Sequence, residues 1–435
     1  MKKIIITILQ TLAKRVIYKY KPKVVAITGS VGKTATKEAV FAVLNKKLQV
    51  RKNEGNFNTE IGLPLTIIGL QKSPGKNPFK WLAVYARAIG LLIFRIDYPK
   101  VLVLEMGADK PGDIAELISI AKPDIGIITA ISAVHTEQFN SIAGVVREKG
   151  KLFRVVEKDG WIIVNNDRSE VYDIAQKCDA KKVYIGQCAE LSDNTPFSVC
   201  ASEISVSMSE AQETGIAGTS FKLHTDGKVI PVLMKGIIGE HWTYPAMYAA
   251  AVARILGVHM VDVTEGLREI NPQSGRMRVL AGIKKTILID DTYNSSPNAA
   301  KSAVDTLALL RIGREKYCVF GDMLELGSIS EEEHQKLGML VAREGIDYLI
   351  CVGERARDIA RGAIKAKMPK DHVFEFDNTK DAGLFIQKRL EQGDMVLIKG
   401  SQGVRMERVT KEIMAHPEKS KELLVRQSKE WLSKA

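Results

Sequence analysis

Residues 28–34, TGSVGKT, combine glycines, a lysine and a threonine in the manner of a phosphate-binding turn. The turn follows a β-branched run and precedes a helix-forming segment at 33–45, so its backbone N–H groups would lie at a helix N-terminus, where the helix dipole favours an anion. Lys33 would neutralise phosphate charge, and the Thr34 hydroxyl would bind Mg²⁺. Ile27 stands where the common GxxxxGKS/T pattern has its first glycine. The segment predicts nucleotide binding, and a purely structural glycine turn is the alternative.

Three more side chains could contribute to a metal site. Glu105 ends a buried-strand candidate at 101–105, and His135 follows another at 125–130. Because parallel sheets bind ligands at the carboxyl ends of their strands, both side chains could face one cleft, where a carboxylate would suit Mg²⁺. Lys149 lies in the charged segment REKGK, where an ordinary lysine is one charge on a solvated helix face. Residue chemistry alone favours Glu105 as a ligand, and it favours an ordinary surface or core histidine at His135 and an ordinary solvated lysine at Lys149.

Alternating strand and helix patterns would position these residues. Short apolar, β-branched runs at 24–27, 101–105, 125–130 and 161–165 are separated by helical stretches such as 112–121. That alternation predicts an α/β fold with a mostly parallel sheet and helices on its faces.

The pattern changes after residue 197. Residues 197–233 have the pattern of antiparallel strands, with a turn signal at Asp226-Gly227, and a helix is expected at 244–256. A stretch with Pro, Ser and Gly at 271–275 then marks a domain boundary. Beyond it the strand and helix alternation restarts, which predicts a second, Rossmann-like domain. Its strands are expected at 286–290, 317–320, 348–352 and 395–398.

The basic excess of the chain is concentrated at its start. The 435 residues include 63 Lys and Arg against 51 Asp and Glu, a formal charge of +12, and the first 23 residues hold seven basic residues and no acidic one. Because the excess is local and no aromatic and basic platform accompanies it, no nucleic-acid partner is expected. Apolar residues recur at helical spacing along 4–20, which predicts an amphipathic helix. It would either pack on the body of the protein or lie on a membrane surface.

A second apolar stretch at 81–94, WLAVYARAIGLLIF, is expected to be a core helix. The apolar run of the leader, at 4–13, is about half the length that spans a bilayer, and no cleavage site follows it. The five cysteines form neither a CxxC pair nor a cluster with zinc spacing, so no disulfide scaffold or zinc module is predicted. These features fit a reducing cytoplasm, and they leave contact with the inner membrane surface open.

Nine motifs, in order along the chain, resemble those of the Mur ligases. They are ITGSVGKTATKE at 27–38, GNFNTEIGLPLT at 55–66, LEMGAD at 104–109, HTEQF at 135–139, REKG at 147–150, GRM at 275–277, DDTYNSSP at 290–297, GDMLELG at 321–327 and KGSQGVRME at 399–407. This family forms amide bonds with ATP in peptidoglycan synthesis, and the chain is most similar to the branch that adds D-alanyl-D-alanine to UDP-N-acetylmuramoyl-tripeptide.

The resemblance implies three parts. A basic amphipathic helix would occupy residues 1–23, a central P-loop Mur-ligase domain with a mostly parallel sheet residues 24–275, and a C-terminal Rossmann-like ligase domain residues 276–435. The expected cofactors are ATP and Mg²⁺ at two sites. The expected partners are small molecules, a muramyl peptide and D-alanyl-D-alanine, and the protein would be a monomer.

The resemblance also implies roles in phosphate and metal binding. Thr34 and Glu105 would hold one Mg²⁺, and His135 would bind the second. Lys149 would carry a CO₂-derived carbamate that helps to place the second metal. The residues that would contact the ATP phosphates are Gly29, Ser30, Val31, Gly32 and Lys33.

Residues beyond the boundary would bind the rest of the nucleotide. Arg276 would reach the γ-phosphate, where a planar, always charged group suits an oxyanion. Asp291 would hydrogen-bond the ribose, and Tyr293 would stack near the adenine with Asn294 beside it. The loops expected to contact substrates are 321–327 and 399–405 for the dipeptide and 56–60 for the carboxylate.

The implied reaction is stepwise. A substrate carboxylate would attack the γ-phosphate of ATP to give an acyl phosphate and ADP, and the amine of D-alanyl-D-alanine would then displace phosphate. Charge builds on the transferring phosphoryl group, so the metals, Lys33 and Arg276 would stabilise it electrostatically.

Two departures from the family leave other hypotheses open. Trp242 and Pro245 stand where the family has asparagines that help to recognise adenine. The branch also carries an N-terminal domain of about one hundred residues for the UDP-sugar, an ordinary domain size, whereas here only the basic leader precedes the glycine turn. A Mur-like ligase acting on a non-UDP or lipid-linked carboxylate is therefore an alternative. A non-catalytic nucleotide-binding scaffold is a weaker one.

Overall fold

The structure, a computed structural model, describes residues 2–55, 57–75, 77–131, 139, 141–189, 191, 197–270, 273–310 and 314–433, with the backbone alone at 2–4. The chain forms two compact units. The first comprises residues 1–203, 221–232 and 243–270, and the second comprises residues 204–220, 233–242 and 271–435.

Helices and strands alternate from the start of the chain. In order they are α1 (Lys2–Tyr20), β1 (Lys23–Thr28), α2 (Lys33–Leu44), β2 (Val50–Lys52), α3 (Gly62–Ile68), α4 (Pro78–Ile93), β3 (Val101–Glu105), α5 (Asp113–Ile120), β4 (Ile125–Ile128), α6 (Ile142–Arg154), β5 (Trp161–Asn165), α7 (Ser169–Ala175) and β6 (Lys181–Gln187). Then follow β7 (Ser198–Met208), β8 (Ile216–Thr225), β9 (Lys228–Lys235), α8 (Thr243–Ile255) and α9 (Met260–Arg268).

The described strands among these form one sheet in the order β2-β3-β1-β4-β5-β6-β7-β8-β9. Every pair from β2 to β7 is parallel, which confirms the predicted mostly parallel sheet. In register, Ile27 lies opposite Glu105, and Thr28 lies opposite Ile128. The carboxyl ends of β1, β3 and β4 are therefore neighbours at the edge where such sheets bind ligands.

Strand β1 is apolar because it lies inside this sheet. Residues 24–27 are almost fully buried between β3 and β4, and a continuous β-branched and apolar run is what such a position requires. Farther along, β8 and β9 are joined by the two residues Asp226 and Gly227, with φ angles of 51° and 70°. Positive φ at both positions is the geometry of a tight hairpin, so the predicted turn is confirmed.

Helix α1 packs on the body of the first unit. Its apolar stripe of Leu9, Ala13 and Val16 is fully buried, in the core that it shares with α3 and α4. This confirms the prediction that the apolar stripe of this helix packs on the body of the protein. The prediction of a core helix at 81–94 was wrong in part, because α4 buries one face, including Val84 and Ala88, and exposes the other. No described helix has the length and hydropathy needed to cross a membrane.

The second unit contains the Rossmann-like pattern that the sequence predicts. Its elements are β10 (Arg278–Ala281), β11 (Ile287–Asp291), α10 (Pro297–Leu309), β12 (Lys316–Gly321), α11 (Ser330–Arg343), β13 (Tyr348–Val352), α12 (Arg357–Lys365), β14 (Val373–Phe376), α13 (Thr379–Arg389), β15 (Met395–Lys399), α14 (Glu407–Ile413), α15 (Ser420–Leu423) and α16 (Lys429–Leu432). The described strands form a sheet in the order β10-β11-β15-β12-β13-β14, in which only the first pair is antiparallel.

One disulfide differs from the expectation of reduced cysteines. Cys188, directly after β6, is bonded to Cys200 in β7, and the other three cysteines are free and buried. The two residues come together because β6 and β7 are parallel neighbours, with Gly186 opposite Cys200. Sequence spacing could not show this, since it does not reveal which strands pair.

The packing of α1 predicts how two substitutions differ. Leu9→Ala should lower the free energy of unfolding of the first unit by about 2 to 4 kcal/mol, because it opens a cavity in a buried stripe. Tyr18→Ala, on the same helix but 81% exposed, should change it by less than about 0.5 kcal/mol. Urea unfolding followed by circular dichroism measures both. Equal midpoints for the two variants would show that α1 does not pack on the body.

Candidate functional site

The predicted phosphate-binding turn requires glycine at position 29. Gly29 has a φ of 148°, and a Cβ atom there would lie 2.0 Å from Oγ1 of Thr129 and 3.1 Å from the carbonyl oxygen of Ala130. The end of β1 therefore passes so close to the residues after β4 that no side chain fits between them.

Hydrogen bonds from the same neighbours hold the turn in shape. The N–H of Ser30 donates to the carbonyl oxygen of Ala130 at 2.7 Å, and the Thr129 hydroxyl donates to the carbonyl oxygen of Val31 at 2.6 Å. Helix α2 begins directly afterwards, with Gly32 in a left-handed conformation as its N-cap. The turn thus places backbone N–H groups and a helix N-terminus together, which is the arrangement that binds phosphate.

Two predicted site lysines meet at one backbone oxygen of this turn. Nζ of Lys33 donates to the carbonyl oxygen of Gly29 at 2.9 Å, and Nζ of Lys149 donates to the same oxygen at 3.0 Å. Lys149 reaches it from α6, and only 4% of the residue is exposed. The charged residues around Lys149 in the sequence suggested a solvated helix face, but the side chain is buried.

Burial changes the acidity of Lys149. Desolvation lowers the pKa of its ammonium group, and the charge of Lys33 lowers it further, to about 7, against the smaller opposing effects of Asp109 and Glu148. An exposed lysine is almost entirely protonated at neutral pH. Lys149 is instead neutral in a substantial fraction of the molecules near pH 7, because burial disfavours its charged form. Its amine can therefore act as a nucleophile.

Glu105 is positioned by an asparagine on a neighbouring segment. Oδ1 of Asn53 accepts the N–H of Glu105 at 2.8 Å, and Nδ2 donates to the carbonyl oxygen of Glu105 at 3.0 Å. The Glu105 side chain is buried, and its Oε1 accepts a hydrogen bond from Nδ2 of Asn58 at 3.3 Å. Its Oε2 lies 3.6 Å from Nζ of Lys37 and accepts no hydrogen bond from the described residues. A buried carboxylate oxygen without a donor suits a cation, so Glu105 fits the predicted metal role.

The other predicted metal ligands remain predictions. Thr34 is the second residue of α2 and is half-buried beside the turn. His135 lies outside the described residues. Within the described ranges, no three His, Cys, Asp or Glu side chains are grouped as a metal site. The predicted set contains just two residues of those types, so this finding leaves it untested.

A cavity of about 540 Å³ lies beside the loop predicted to serve the carboxylate substrate. Phe57 and Thr59 line it, together with Lys72 and Ser73 from the loop that precedes α4. Asn56, at the start of the predicted loop, lies outside the described residues. Its lining includes one cationic and one anionic side chain, Lys72 and Glu54, so the cavity offers polar contacts without a net charge, and its role as the carboxylate site stays a prediction.

In the second unit, two adjacent aspartates hold the loop that carries Arg276. Oδ2 of Asp290 accepts the N–H of Gly275 at 2.9 Å, and Oδ1 of Asp291 accepts the N–H of Met277 at 3.2 Å. Desolvation raises the pKa of Asp290 to about 6, although hydroxyl and backbone donors oppose the shift. The strand end of β11 therefore fixes the backbone on both sides of Arg276.

Lys399 joins two of the predicted nucleotide-binding residues. Its Nζ donates to Oδ2 of Asp291 at 2.6 Å and to the carbonyl oxygen of Asn294 at 2.9 Å, and its side chain is buried. Both oxygens of Asp291 thus have partners within the protein. The expected hydrogen bond to a ribose would have to share one of these oxygens, and it remains a prediction.

The Arg276 guanidinium stacks on the ring of Tyr293. Its Cζ lies 4.2 Å from the ring centroid, and the N–H of Tyr293 donates to the carbonyl oxygen of Gly275 at 2.9 Å. Tyr293 is 37% exposed. The second unit therefore presents an arginine and an aromatic ring as one surface, which fits contacts to a phosphate and a base.

The two loops predicted to contact the dipeptide are bonded to each other. The N–H of Ser401 donates to the carbonyl oxygen of Asp322 at 3.0 Å, and the Ser401 hydroxyl accepts the N–H of Leu324 at 2.8 Å. Trp242 and Pro245, which replace the asparagines of the family, are both buried. These two positions therefore offer no amide for reading a base.

Sequence reasoning gave no role to three of the residues that shape the two sites, and it placed the fourth, Lys399, in the loop for the dipeptide. Lys37 and Asn53 lie at Glu105, and Asp290 and Lys399 lie at the loop of Arg276. The doubled acid at the end of a predicted strand was a usable signal for Asp290. Asn53 gave no such signal, because its partner is 52 positions away.

The close approach at Gly29 predicts that this glycine is required for nucleotide binding. Gly29→Ala should weaken ADP binding roughly 10- to 100-fold, because the turn must move to accept the Cβ atom. Gly90→Ala is the matched control, since a Cβ atom at Gly90 meets nothing within 4 Å. Isothermal titration calorimetry measures both. ADP binding by Gly29→Ala at the strength of the unchanged protein would contradict a phosphate-binding turn.

Family models match most of the chain. The Mur ligase middle domain matches residues 85–253, and the Mur ligase glutamate ligase domain matches residues 275–402. The chain is 29% identical over 420 residues to the UDP-N-acetylmuramoyl-tripeptide–D-alanyl-D-alanine ligase of Bacillus subtilis, covering 95% of this chain and 80% of that protein. It is 30% identical to the ligase of the same name in Mycobacterium leprae, with 88% and 71% covered.

Solved structures share this fold. MurF from Acinetobacter baumannii has a TM-score of 0.73 and 26% identity, with 92% of this chain and 79% of that chain covered. MurF ligase from Thermotoga maritima, in complex with ADP, has a TM-score of 0.73 and 25% identity, with 94% and 83% covered. On these similarities, the chain belongs to the Mur ligase family of ATP-dependent, amide-bond-forming enzymes.

Proposed function

We propose that this Mur ligase joins D-alanyl-D-alanine to the carboxylate of a UDP-N-acetylmuramoyl-tripeptide while ATP is converted to ADP and phosphate. The observation that carries the proposal is the turn at Gly29, where Lys33 and Lys149 meet at one carbonyl oxygen. The substrates follow from the relatives, since the proteins of Bacillus subtilis and Mycobacterium leprae bear the name of this ligase.

The proposed reaction exchanges two bonds in sequence. An oxygen of the tripeptide carboxylate attacks the γ-phosphorus of ATP, the bond from that phosphorus to the β-phosphate oxygen breaks, and ADP leaves. The amine of D-alanyl-D-alanine then attacks the carbonyl carbon of the acyl phosphate, gives up a proton, and displaces inorganic phosphate. Lys33 stabilises the charge that spreads over the transferring phosphoryl group.

Mg²⁺ fits the first unit at Glu105. The Oε2 atom of this residue is buried and accepts no hydrogen bond from the described residues, and Thr34 follows the turn as the hydroxyl ligand of phosphate-binding loops does. Bound Mg²⁺ would neutralise phosphate oxygens and orient them for in-line attack. His135 and Lys149 are the proposed ligands at a second site.

A carbamate fits Lys149. CO₂ adds to a neutral amine, with an N–C bond formed and a proton released, and the pKa of about 7 keeps part of Lys149 neutral at physiological pH. The product is an anion beside Lys33, so repulsion between two cations becomes attraction. It also supplies oxygen atoms, the ligands that Mg²⁺ prefers.

The remaining residues have proposed places along the substrates. The cavity beside Phe57 and Thr59 would take part of the acidic muramyl peptide. In the second unit, Arg276 and Tyr293 would contact the γ-phosphate and the adenine, and the bonded loops at Asp322 and Ser401 would contact the dipeptide.

The proposal extends to where the enzyme works. We infer a monomer that acts in the cytoplasm at the inner membrane surface, with α1 at the contact. The exposed side of α1 carries Lys14, Arg15 and Lys19, and cations of this kind are attracted to anionic headgroups.

Phosphate release tests the ligase proposal. The full chain with ATP, Mg²⁺, D-alanyl-D-alanine and UDP-N-acetylmuramoyl-tripeptide should release phosphate only when both substrates are present. Lys33→Ala should lower the rate at least about 1,000-fold, because it removes the positive side chain that stabilises the transferring phosphoryl group. Lys47→Ala, an exposed lysine just after α2, should leave the rate unchanged.

The same assay separates the alternatives. Phosphate release with a muramyl peptide that lacks UDP, and none with the UDP form, would show that the substrate is a non-UDP carboxylate and not the UDP-linked tripeptide. Nucleotide binding by calorimetry without turnover of either peptide would leave a scaffold and overturn the ligase proposal.

The lowered pKa of Lys149 predicts a pH-dependent modification. With ¹³C-bicarbonate, the protein should show a carbamate signal by ¹³C NMR at pH 8 that declines as the pH falls below 7, since the ammonium form cannot add CO₂. Lys149→Arg should abolish the signal, whereas Lys151→Arg, two residues on and a third exposed, should keep it. A signal that is unchanged in Lys149→Arg would place the carbamate elsewhere.

A further inference from the structure

The outer face of α4 is apolar along its whole length. Its buried face includes Val84, Ala88 and Leu91. On the opposite side, at about 100° per residue, the exposed residues are Phe79, Leu82, Ala83, Ala86, Ile89 and Ile93. This outer face contains no charged or hydrogen-bonding side chain. A helix on a protein surface ordinarily places its charged residues there.

The side chains on this face are large and well exposed. Phe79 is 80% exposed, Leu82 and Ile93 are each 68% exposed, and Phe94, directly after the helix, is 64% exposed. We define Phe79, Leu82, Ile89, Ile93 and Phe94 as the α4 patch. Single exposed apolar residues are ordinary, but a continuous apolar helix face indicates a surface that meets an apolar partner.

Helix α1 lies beside α4 and brings positive charge to it. The Tyr85 hydroxyl donates to the carbonyl oxygen of Ile5 at 3.0 Å, so the two helices are in contact near the start of α1. At the other end, Nζ of Lys19 donates to the carbonyl oxygens of Leu91 at 2.8 Å and Phe94 at 2.6 Å. A cation is thereby fixed at the end of the α4 patch.

Other basic side chains border the patch. Lys80 lies on the flank of α4, and Arg95 follows Phe94, both exposed. Lys14 and Arg15 are exposed on α1. An apolar face with a basic border is the pattern of helices that lie in the interface of an anionic bilayer, where apolar side chains enter the acyl region and cations meet phosphate headgroups.

We propose that the α4 patch docks this protein on anionic phospholipid, with α4 lying in the plane of the membrane. A helix of 16 residues is about 24 Å long, shorter than the apolar core of a bilayer, so it would lie on the membrane and not cross it. The proposal changes the proposed membrane contact: α1 supplies charge, and α4 supplies the apolar surface. It does not depend on the ligase activity.

A second copy of the chain is a less suitable occupant. Two copies related by a two-fold axis would bring the same patch face to face. Lys80 and Arg95 of one copy would then approach the same cations of the other. Helix α4 contains no acidic residue, and Asp97 is the one exposed acid in the four residues after it, so the cations would outnumber the acids. Anionic headgroups instead have the complementary charge.

Vesicle sedimentation tests the proposal. The full chain should sediment with vesicles of phosphatidylcholine that contain about 30 mol% phosphatidylglycerol, which supplies anionic headgroups. It should sediment much less with vesicles of phosphatidylcholine alone. The triple variant Phe79→Ser, Leu82→Ser, Ile93→Ser should lower the partition coefficient at least about tenfold, because it removes three inserting side chains.

A matched triple variant controls for general loss of apolar surface. Val229, Val261 and Leu309 are 54%, 57% and 71% exposed outside α4, and changing all three to Ser should leave vesicle binding unchanged. Phosphate release without vesicles should be equal in both triple variants and the unchanged chain, which separates docking from catalysis. Lys80→Glu with Arg95→Glu should weaken binding to anionic vesicles and reduce its salt dependence, with the cations of α1 still contributing.

Three results would overturn the proposal. One is equal vesicle binding by the α4 triple variant and the unchanged chain. Another is an equal loss of binding in both triple variants. The third is failure of the unchanged chain to bind anionic vesicles. If light scattering then shows a dimer of the unchanged chain and a monomer of the α4 triple variant, the patch is assigned to self-association.

Discussion

The carbonyl oxygen of Gly29 is the point on which the first unit depends. It accepts hydrogen bonds from Lys33 and Lys149, so two lysine side chains end at one neutral oxygen. If both were charged and roughly 5 Å apart, their repulsion would be about 3 kcal/mol at an effective dielectric constant near 20. Burial is the larger cause of the lowered pKa of Lys149, and this repulsion lowers the pKa further. A site that concentrates positive charge in this way is suited to polyphosphate and to an anion formed on the lysine itself.

Buried charges hold the second unit together by a different balance. Asp290 and Asp291 are neighbours in sequence, and each accepts a backbone N–H of the loop around Arg276. Lys399 neutralises one of them, and the pKa of the other rises to about 6. Burying such charges is unfavourable unless hydrogen bonds satisfy them. Here those bonds fix a loop, so the cost of burial is offset by the placement of one arginine.

Much of the fold could be predicted because parallel sheets leave a strong pattern. Strands such as β1, β3 and β11 are buried on both faces, so they read as continuous apolar runs ending at polar residues. The glycine turn was likewise readable, because close backbone contact restricts residue type. Contacts made across the sheet were not readable. Lys149 reaches Gly29 over 120 positions and Asn53 reaches Glu105 over 52, and no local pattern encodes such pairs.

Helices α1 and α4 show why an apolar pattern does not by itself identify a buried face. The stripe of α1 is narrow and buried, whereas α4 is apolar nearly all round and covers the core with only one side. Periodicity reports where apolar residues lie on a helix, and the packing of neighbours decides which of them are covered. Because α1 already covers part of this core, α4 keeps an apolar face outward, beside the segment in which the basic excess of the chain is concentrated. The basic side chains of α1 and the apolar face of α4 therefore form one surface, although α4 itself contains only two basic residues.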